Sequence, residues 1–279
     1  MNLNLRKIYY WLSPKYRFLA RRIFYLPSDL VNKFKITDEK LQPPKGMIFT
    51  GSGDFTKQGE LFLKHFIEYG GLKADDYVLD IGSGIGRMAI PLTNYLSPNA
   101  RYEGFDIVKK GVDWCKKEIT STYPNFAFTH IDLKNTLYNL NTSTEASDFR
   151  FPYSDKYFDF AFLISVFTHM LQADVENYFK EISRVLKPEG ICFATFFIVP
   201  DSSESINHNK KFTFSYDLGN YLVMDKKVPE ANVEYKQSYL KDIFSNFGFE
   251  IKSTHLGYWS GRNKSESLDF QDILILKKV

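Results

Sequence analysis

From residue 77 to residue 199 the chain repeats one rhythm: a short apolar run, a polar turn, then a longer stretch with apolar positions three and four apart. Continuous or alternating apolar runs mark strands, and 3.6-residue spacing marks helices. Tyr77-Val-Leu-Asp80 reads as the end of a buried first strand. Arg101 to Asp106 and Phe126 to Asp132 read as the second and third. Phe158 to Ser165 is nearly continuously apolar, as a central parallel strand covered on both faces must be. Ile191 to Val199 reads as the fifth. Between them helices are expected from Met88 to about Leu96, from Lys109 to Ser121 and from Ala173 to Leu186, the last closed by Lys187-Pro-Glu-Gly190. A helix over about 57–70 precedes the first strand. Ser238 to Phe247 reads as a helix stopped at Gly248, and Phe249 to His255 and Phe270 to Lys277 read as the last two strands. Strands and helices that alternate in this way predict an α/β fold with a mostly parallel sheet.

Three stretches break the rhythm. Residues 134–150 and 200–236 are longer than their connections need and read as insertions. The second is polar at first and then aromatic, with Phe212, Phe214, Tyr216 and Tyr221. Residues 1–44 form a basic, aromatic arm, with one or two helices expected over residues 4–25 and a break near Ser13-Pro14. The chain thus divides into an arm, 1–44, and a domain, 45–279.

Charge sharpens that division. The net charge is +3, yet residues 1–36 hold eight Lys/Arg against the single acid Asp29, a net +7 that leaves −4 for the rest. A basic amphipathic stretch can lie on an anionic membrane. The competing reading packs its rings on the core and leaves its charges solvated. No nucleic-acid module accompanies the basic residues, which disfavours a nucleic-acid partner. The two cysteines, Cys115 and Cys192, are far apart and suggest neither a disulfide framework nor a zinc site. Together with the lack of a signal-like or membrane-spanning apolar run, this points to a cytoplasmic protein, with membrane association through residues 1–36 left open.

Candidate chemistry concentrates after the first strand, in Asp80-Ile-Gly82-Ser83-Gly84-Ile-Gly86-Arg87. A strand, a glycine-rich turn and a helix form a cradle for a nucleotide-like ligand. A dinucleotide site needs G-x-G-x-x-G/A; here the spacing is G-x-G-x-G, and Arg87 stands where the third small residue should fall. The Asp80 carboxylate would repel a pyrophosphate and favour a cationic ligand. Asp106 ends the second strand, where a carboxylate grips a ribose diol in nucleotide folds.

Asp80, Gly82, Gly84 and Gly86 resemble, position for position, the first motif of the class I S-adenosylmethionine (SAM)-dependent methyltransferases. The approach to the fourth strand (Pro152, Asp155, Phe158, Asp159) and the Arg184-Val-Leu-Lys-Pro-Glu-Gly190 stretch are also similar to that family. The resemblance covers about residues 45–279. It implies a Rossmann-like, doubly wound, seven-stranded sheet, mostly parallel with an antiparallel last strand. It implies SAM as cofactor and S-adenosylhomocysteine as product. Carried over by position, Asp80, Gly82, Ser83, Gly84 and Gly86 would hold the methionine side, Asp106 with Ile107 the ribose, and Asp132 with Leu133 the adenine. Ser165 completes the implied cofactor-binding set. Thr50, Gly51 and Asp54 would close over the cofactor, unless Asp54 or Thr56 simply caps the next helix.

Methyl transfer is an in-line displacement, for which positioning alone can lower the barrier by roughly 7–11 kcal/mol. A hydroxyl acceptor also needs a base, and His is the usual one near neutral pH. His169, in the loop after the fourth strand, is the first candidate; orienting the cofactor or capping a helix are its other readings. Asp155, Tyr153 and Tyr235 follow. No carboxylate cluster at ligand spacing suggests a metal. Ser165-Val-Phe-Thr168 replaces the tetrapeptide of base-directed amino-methyltransferases, and the paired-glutamate loop of arginine methyltransferases is missing. A small-molecule, sugar or lipid-linked acceptor is left, with O-methylation favoured and residues 200–236 shaping its pocket. Trp259 and Arg262 are expected to touch it, or else to form an exposed hairpin tip. A non-catalytic SAM-fold module and a nicotinamide oxidoreductase are the alternatives. Oligomeric state is not indicated.

Overall fold

A computed structural model describes residues 13–33, 41–49, 51, 53–140, 142–200 and 212–279. Its first strands are β1 (Tyr77–Ile81), β2 (Arg101–Asp106), β3 (Phe126–His130), β4 (Phe158–Leu163) and β5 (Leu186–Phe196). Four short strands follow, β6 (Ile198–Val199), β7 (Tyr216–Asp217), β8 (Tyr221–Val223) and β9 (Val233–Lys236). The last two are β10 (Phe249–His255) and β11 (Asp272–Lys278). The main sheet has the order β10-β11-β5-β4-β1-β2-β3. Pairing is parallel from β5 through β3, and β11 runs antiparallel to both β5 and β10. This is the doubly wound, seven-stranded sheet expected from the sequence.

The helices are α1 (Pro14–Lys33), α2 (Phe55–His65), α3 (Ala89–Leu92), α4 (Lys109–Cys115), α5 (Gln172–Val185) and α6 (Gln237–Asn246). They cover both faces of the sheet. Side-chain alternation along β1 sends Leu79 and Ile81 to one core, shared with α5 and α6. It sends Val78 to the other, shared with α2 and α4. Phe158, Phe160, Phe162 and Leu163 of β4 are all essentially unexposed, as their apolar run requires.

Three elements differ from the reading of the sequence. The helix after the glycine turn is regular only over Ala89–Leu92, beyond which Asn94 and Tyr95 make tighter bonds to the carbonyls three residues back, Pro91 and Leu92. Residues 212–236 do not merely line a pocket. They supply β7, β8 and β9 of a second sheet, β6-β9-β8-β7, in which β6 follows directly on β5. Helix α1 runs through Pro27 to Lys33, past the expected end near residue 25. Residues 4–12 of the expected arm lie outside the described residues.

The second sheet is anchored through Asp272, the first residue of β11, which has no exposed surface. Its carboxylate accepts from the backbone N–H of Ile198 at 2.8 Å and of Gly257 at 2.7 Å. It also accepts from the indole N–H of Trp259 at 2.7 Å. Burial pushes its pKa up to about 6, against the pull of these three donors. Asp272→Ala would leave three buried donors without an acceptor, each costing about 1–3 kcal/mol. Urea unfolding of Asp272→Ala is expected to show a loss of about 3 kcal/mol or more; a midpoint equal to that of the parent chain would refute the anchor.

Candidate active site

Strand order reverses between β1 and β4, and ligands of doubly wound sheets bind beyond the carboxyl ends of the strands at that point. A cavity of about 720 Å³ lies there. Ile81 and Gly82 line it after β1, Asp106 and Ile107 after β2, Leu133 after β3, and Ser165 and Val166 after β4.

The glycine turn is held by the end of β2. The N–H groups of Gly82 and Ser83 both donate to the Phe105 carbonyl, at 2.9 and 3.0 Å. The Gly84 N–H donates to Asp106 Oδ2 at 2.8 Å, and the Val108 N–H to Oδ1 at 2.6 Å. Gly82 has φ +83°, and a Cβ there would stand 2.5 Å from a methyl of Val166. Any side chain at Gly82 would therefore strain the turn and push against the loop after β4. Asp106 is buried, and burial lifts its pKa to about 6 while the backbone donors oppose the rise.

Asp80 stands one layer away. Strand alternation turns it from the cavity toward Tyr102, whose hydroxyl donates to its carboxylate. Burial pushes its pKa to about 8; the Tyr102 bond opposes that rise and repulsion from Asp106 adds to it. Facing Tyr102 and outside the lining, the carboxyl does not present to the cavity the charge that the sequence suggested as a barrier to pyrophosphate. Ser83 packs its Cβ side toward Gly104, behind the turn. Gly84 and Gly86 form the turn without lining the cavity. Asp132 is exposed, outside the lining, and accepts from the Asn139 amide at 2.7 Å. Of the expected cofactor residues, Gly82, Asp106, Ile107, Leu133 and Ser165 thus meet at one cavity, and Asp80, Ser83, Gly84, Gly86 and Asp132 stand behind or beside it.

After β4 the chain is strained. Ser165 has φ +58°, a conformation that costs a non-glycine residue about 1–3 kcal/mol. Its N–H donates to Thr195 Oγ1 at 2.7 Å and its hydroxyl to Gln271 Oε1 at 2.8 Å. His169 follows in a short turn, Phe167–His169, and lines the cavity. Its Nδ1 lies 2.9 Å from the Glu230 carbonyl. A carbonyl only accepts, so Nδ1 carries the proton and the neutral ring has its lone pair on Nε2. Burial lowers the pKa of this histidine below its ordinary 6.5. Glu230 belongs to the second insertion, and its carboxylate accepts from the hydroxyl of Thr136 in the first. The two insertions therefore meet beside His169.

Gln58, Phe197, Phe212, Tyr258, Asp269 and Phe270 also line the cavity. Asp269 accepts from the Gln58 side chain at 3.2 Å, and burial raises its pKa. Trp259 and Arg262 are not in this lining. Trp259 is spent on Asp272, and Arg262 donates to Ser260 Oγ at 2.7 Å. The loop folds back on β11 and presents Tyr258 to the cavity instead. Gln58, Asp269 and Gln271 carried no motif and were not legible before folding. Gly51 and Arg87 also line the cavity, whereas Asp54 caps α2 by accepting the Lys57 N–H at 3.1 Å. Thr50 lies outside the described residues. Of the other base candidates, Asp155 binds Arg184 at 2.7 Å, the Tyr235 hydroxyl donates to the Met170 carbonyl at 2.7 Å, and Tyr153 packs on Phe158. None of the three lines the cavity. Among the described residues no group of three His, Cys, Asp or Glu could hold a metal ion.

Residues 79–194 match a family model described as methyltransferase domain. A demethylmenaquinone methyltransferase of Lactobacillus johnsonii is 29% identical over 128 residues, which span 46% of this chain and 46% of that protein. A solved Pyrococcus horikoshii protein superposes with a TM-score of 0.56 at 16% identity, covering 84% of this chain and 95% of that one. The Burkholderia thailandensis 1,6-didemethyltoxoflavin-N1-methyltransferase, solved with 1,6-didemethyltoxoflavin and S-adenosylhomocysteine, superposes with a TM-score of 0.51 at 15% identity. It covers 96% of this chain and 91% of its own.

The buried Asp80 carries a stability signature. Its folded pKa of about 8 lies above its ordinary 3.8, so in that interval the folded chain binds more protons than the unfolded one. Its contribution is then greatest at low pH and is lost as pH rises through about 8. The melting temperature of Asp80→Asn is expected to fall less than that of the parent chain between pH 5 and pH 8. Parallel melting curves across this range would show that Asp80 is ionised in the folded protein.

Proposed function

We propose that this chain is a class I SAM-dependent methyltransferase that transfers a methyl group from SAM to the hydroxyl of a small-molecule acceptor, a reading supported by the match of residues 79–194 to a methyltransferase-domain model. The observation that carries the proposal is the shared cavity, whose lining brings Asp106 and Gly82 together with His169 and the aromatic side chains Phe197, Phe212, Tyr258 and Phe270. Its residues fit the cofactor. Asp106 keeps lone pairs for a ribose diol beyond the backbone donors Gly84 and Val108. A cationic ligand suits a site whose carboxylates are buried and whose lining holds Asp106 and Asp269. In this reading residues 45–279 are the catalytic domain and 1–44 an appended arm.

SAM, held by Asp106 and the glycine turn, would supply a methyl carbon activated by its sulfonium, with S-adenosylhomocysteine as the leaving group. The chain's part is to place and deprotonate the acceptor. His169 Nε2 would accept the proton of an acceptor hydroxyl placed in the cavity. The Nδ1–H bond to the Glu230 carbonyl holds the ring and supports the charge that forms on it. Phe197, Phe212, Tyr258 and Phe270 offer an apolar, ring-sized wall to the acceptor body. The names of the related proteins, one acting on demethylmenaquinone and one on a toxoflavin precursor, agree with a small ring-bearing acceptor. Sugar and lipid-linked acceptors carry the same hydroxyl and fall within the proposal.

His169→Gln is expected to lower kcat by about 10²–10⁴-fold while leaving SAM affinity unchanged. The acid limb of the parent pH profile is expected below pH 6.5, because burial lowers this pKa, and to vanish in the variant. A variant that loses SAM affinity with kcat intact would make His169 a cofactor-orienting group. Asp106→Ala is expected to abolish SAM binding by calorimetry, and an unchanged affinity would remove it from the ribose site. Transfer of radiolabel from SAM into a metabolite extract identifies the acceptor; no transfer to any fraction would defeat the enzymatic reading.

A further inference from the structure

Helix α1 is turned inside out relative to an element that packs on a core. One face docks on the domain. Arg17 is buried there, Phe18 meets Phe49 edge-on at 5.6 Å, and Asp29 accepts the N–H groups of Lys45 and Gly46 at 2.7 and 2.9 Å. Arg21, Tyr25 and Ser28 share that face and are half-buried. The apolar residues point the other way. Leu19, Ile23, Phe24, Leu26, Leu30 and Val31 are each more than half exposed, Phe24 by 76%. At about 100° per residue, Leu19, Ile23, Leu26 and Leu30 fall within an arc of roughly 60°, opposite the docked face. Lys15 and Arg22, both exposed, run along one edge of that arc.

Six large apolar side chains on 20 residues of surface helix exceed the scattered exposure normal for a soluble domain. Among the described residues no helix is long and apolar enough to cross a membrane. A helix with an apolar stripe and a basic edge lies in the plane of an anionic bilayer, its stripe in the acyl boundary and its cations among the headgroups. A second copy of the chain is the poorer occupant. A two-fold interface sets like patches together, and each copy would bring the +7 of residues 1–36. Those charges repel one another and attract anionic lipid.

We propose that α1 is an in-plane anchor that docks this protein on anionic membrane surfaces. Its docked face is one aromatic contact from the cavity, since Phe49 lines the cavity and touches Phe18. The anchored protein therefore holds its cavity rim beside the lipid. The inference rests on the exposed stripe and the local charge, not on the methyl-transfer reading.

The test is co-sedimentation of the full chain with vesicles of phosphatidylcholine, with and without phosphatidylglycerol. Binding is expected only with phosphatidylglycerol and is expected to weaken as salt rises. The double variant Lys15→Gln/Arg22→Gln is expected to lower partitioning roughly 30-fold, since each basic residue near such a surface contributes about one factor of five. Ile23→Ser/Phe24→Ser is expected to lose binding at an unchanged melting temperature, because both side chains are exposed in the folded chain. No binding to either vesicle, or equal binding to both, would overturn the proposal. So would a dimer in sedimentation velocity that the serine variant disperses, which would assign the stripe to a second copy. SAM affinity of these variants, measured alongside, is expected to stay at the parent value, so failure of the anchor and failure of the cofactor site read out separately.

Discussion

The carboxylate of Asp106 is the joint on which the site depends. It takes the Gly84 N–H with one oxygen and the Val108 N–H with the other. With the Phe105 carbonyl receiving Gly82 and Ser83, it couples the turn after β1 to the start of α4. The turn is thus held by neighbouring-strand groups as well as by its own Gly86 N–H to Ser83 carbonyl bond. A buried carboxylate with two backbone donors keeps much of its anionic character, yet burial still lifts its pKa to about 6. Such a group is poised for an additional donor or cation, and the ligand that occupies the cavity would supply it.

A second coupling joins the two stretches that depart from the regular rhythm. Glu230 accepts the His169 Nδ1–H with its carbonyl and the Thr136 hydroxyl with its carboxylate. One residue of the second insertion therefore sets the tautomer of the histidine and fastens the first insertion. The chemistry proposed for His169 depends on chain segments far from it in sequence. Asp272 plays the matching role at the far wall. By gathering Ile198, Gly257 and Trp259 it fixes the loop that turns Tyr258 toward the cavity.

Strain marks the same region. Ser165 adopts a left-handed conformation at the end of β4, where a glycine would be expected on steric grounds alone. Two hydrogen bonds hold it, one to Thr195 and one to Gln271. Residues held in this way cluster where backbone placement matters more than local stability. Here the consequence is that the β4 loop passes close over Gly82 and carries His169 to the cavity.

Much of this was legible along the chain. Apolar runs and helical spacing are local properties, so they predicted the strands, most helices and the glycine turn, including Asp106 at the end of β2. The residue types of a strand-turn-helix motif follow from backbone sterics that act within a dozen residues. What the sequence could not reveal was direction and partnership. Strand alternation against a particular neighbour turned Asp80 to Tyr102 and away from the cavity. The return of the loop onto the start of β11, with the Tyr258 and Trp259 N–H groups donating to the Asp269 and Phe270 carbonyls, buried Trp259 and exposed Tyr258 to the pocket. Pairing across the fold brought Gln58, Asp269 and Gln271 to a site for which no spacing had marked them. The pattern along α1 was plain as amphipathicity, but a period of 3.6 states only that two faces differ. Which face docks was decided by Asp29 and Phe18 meeting residues 45–49 in space, and that choice left the apolar face outward.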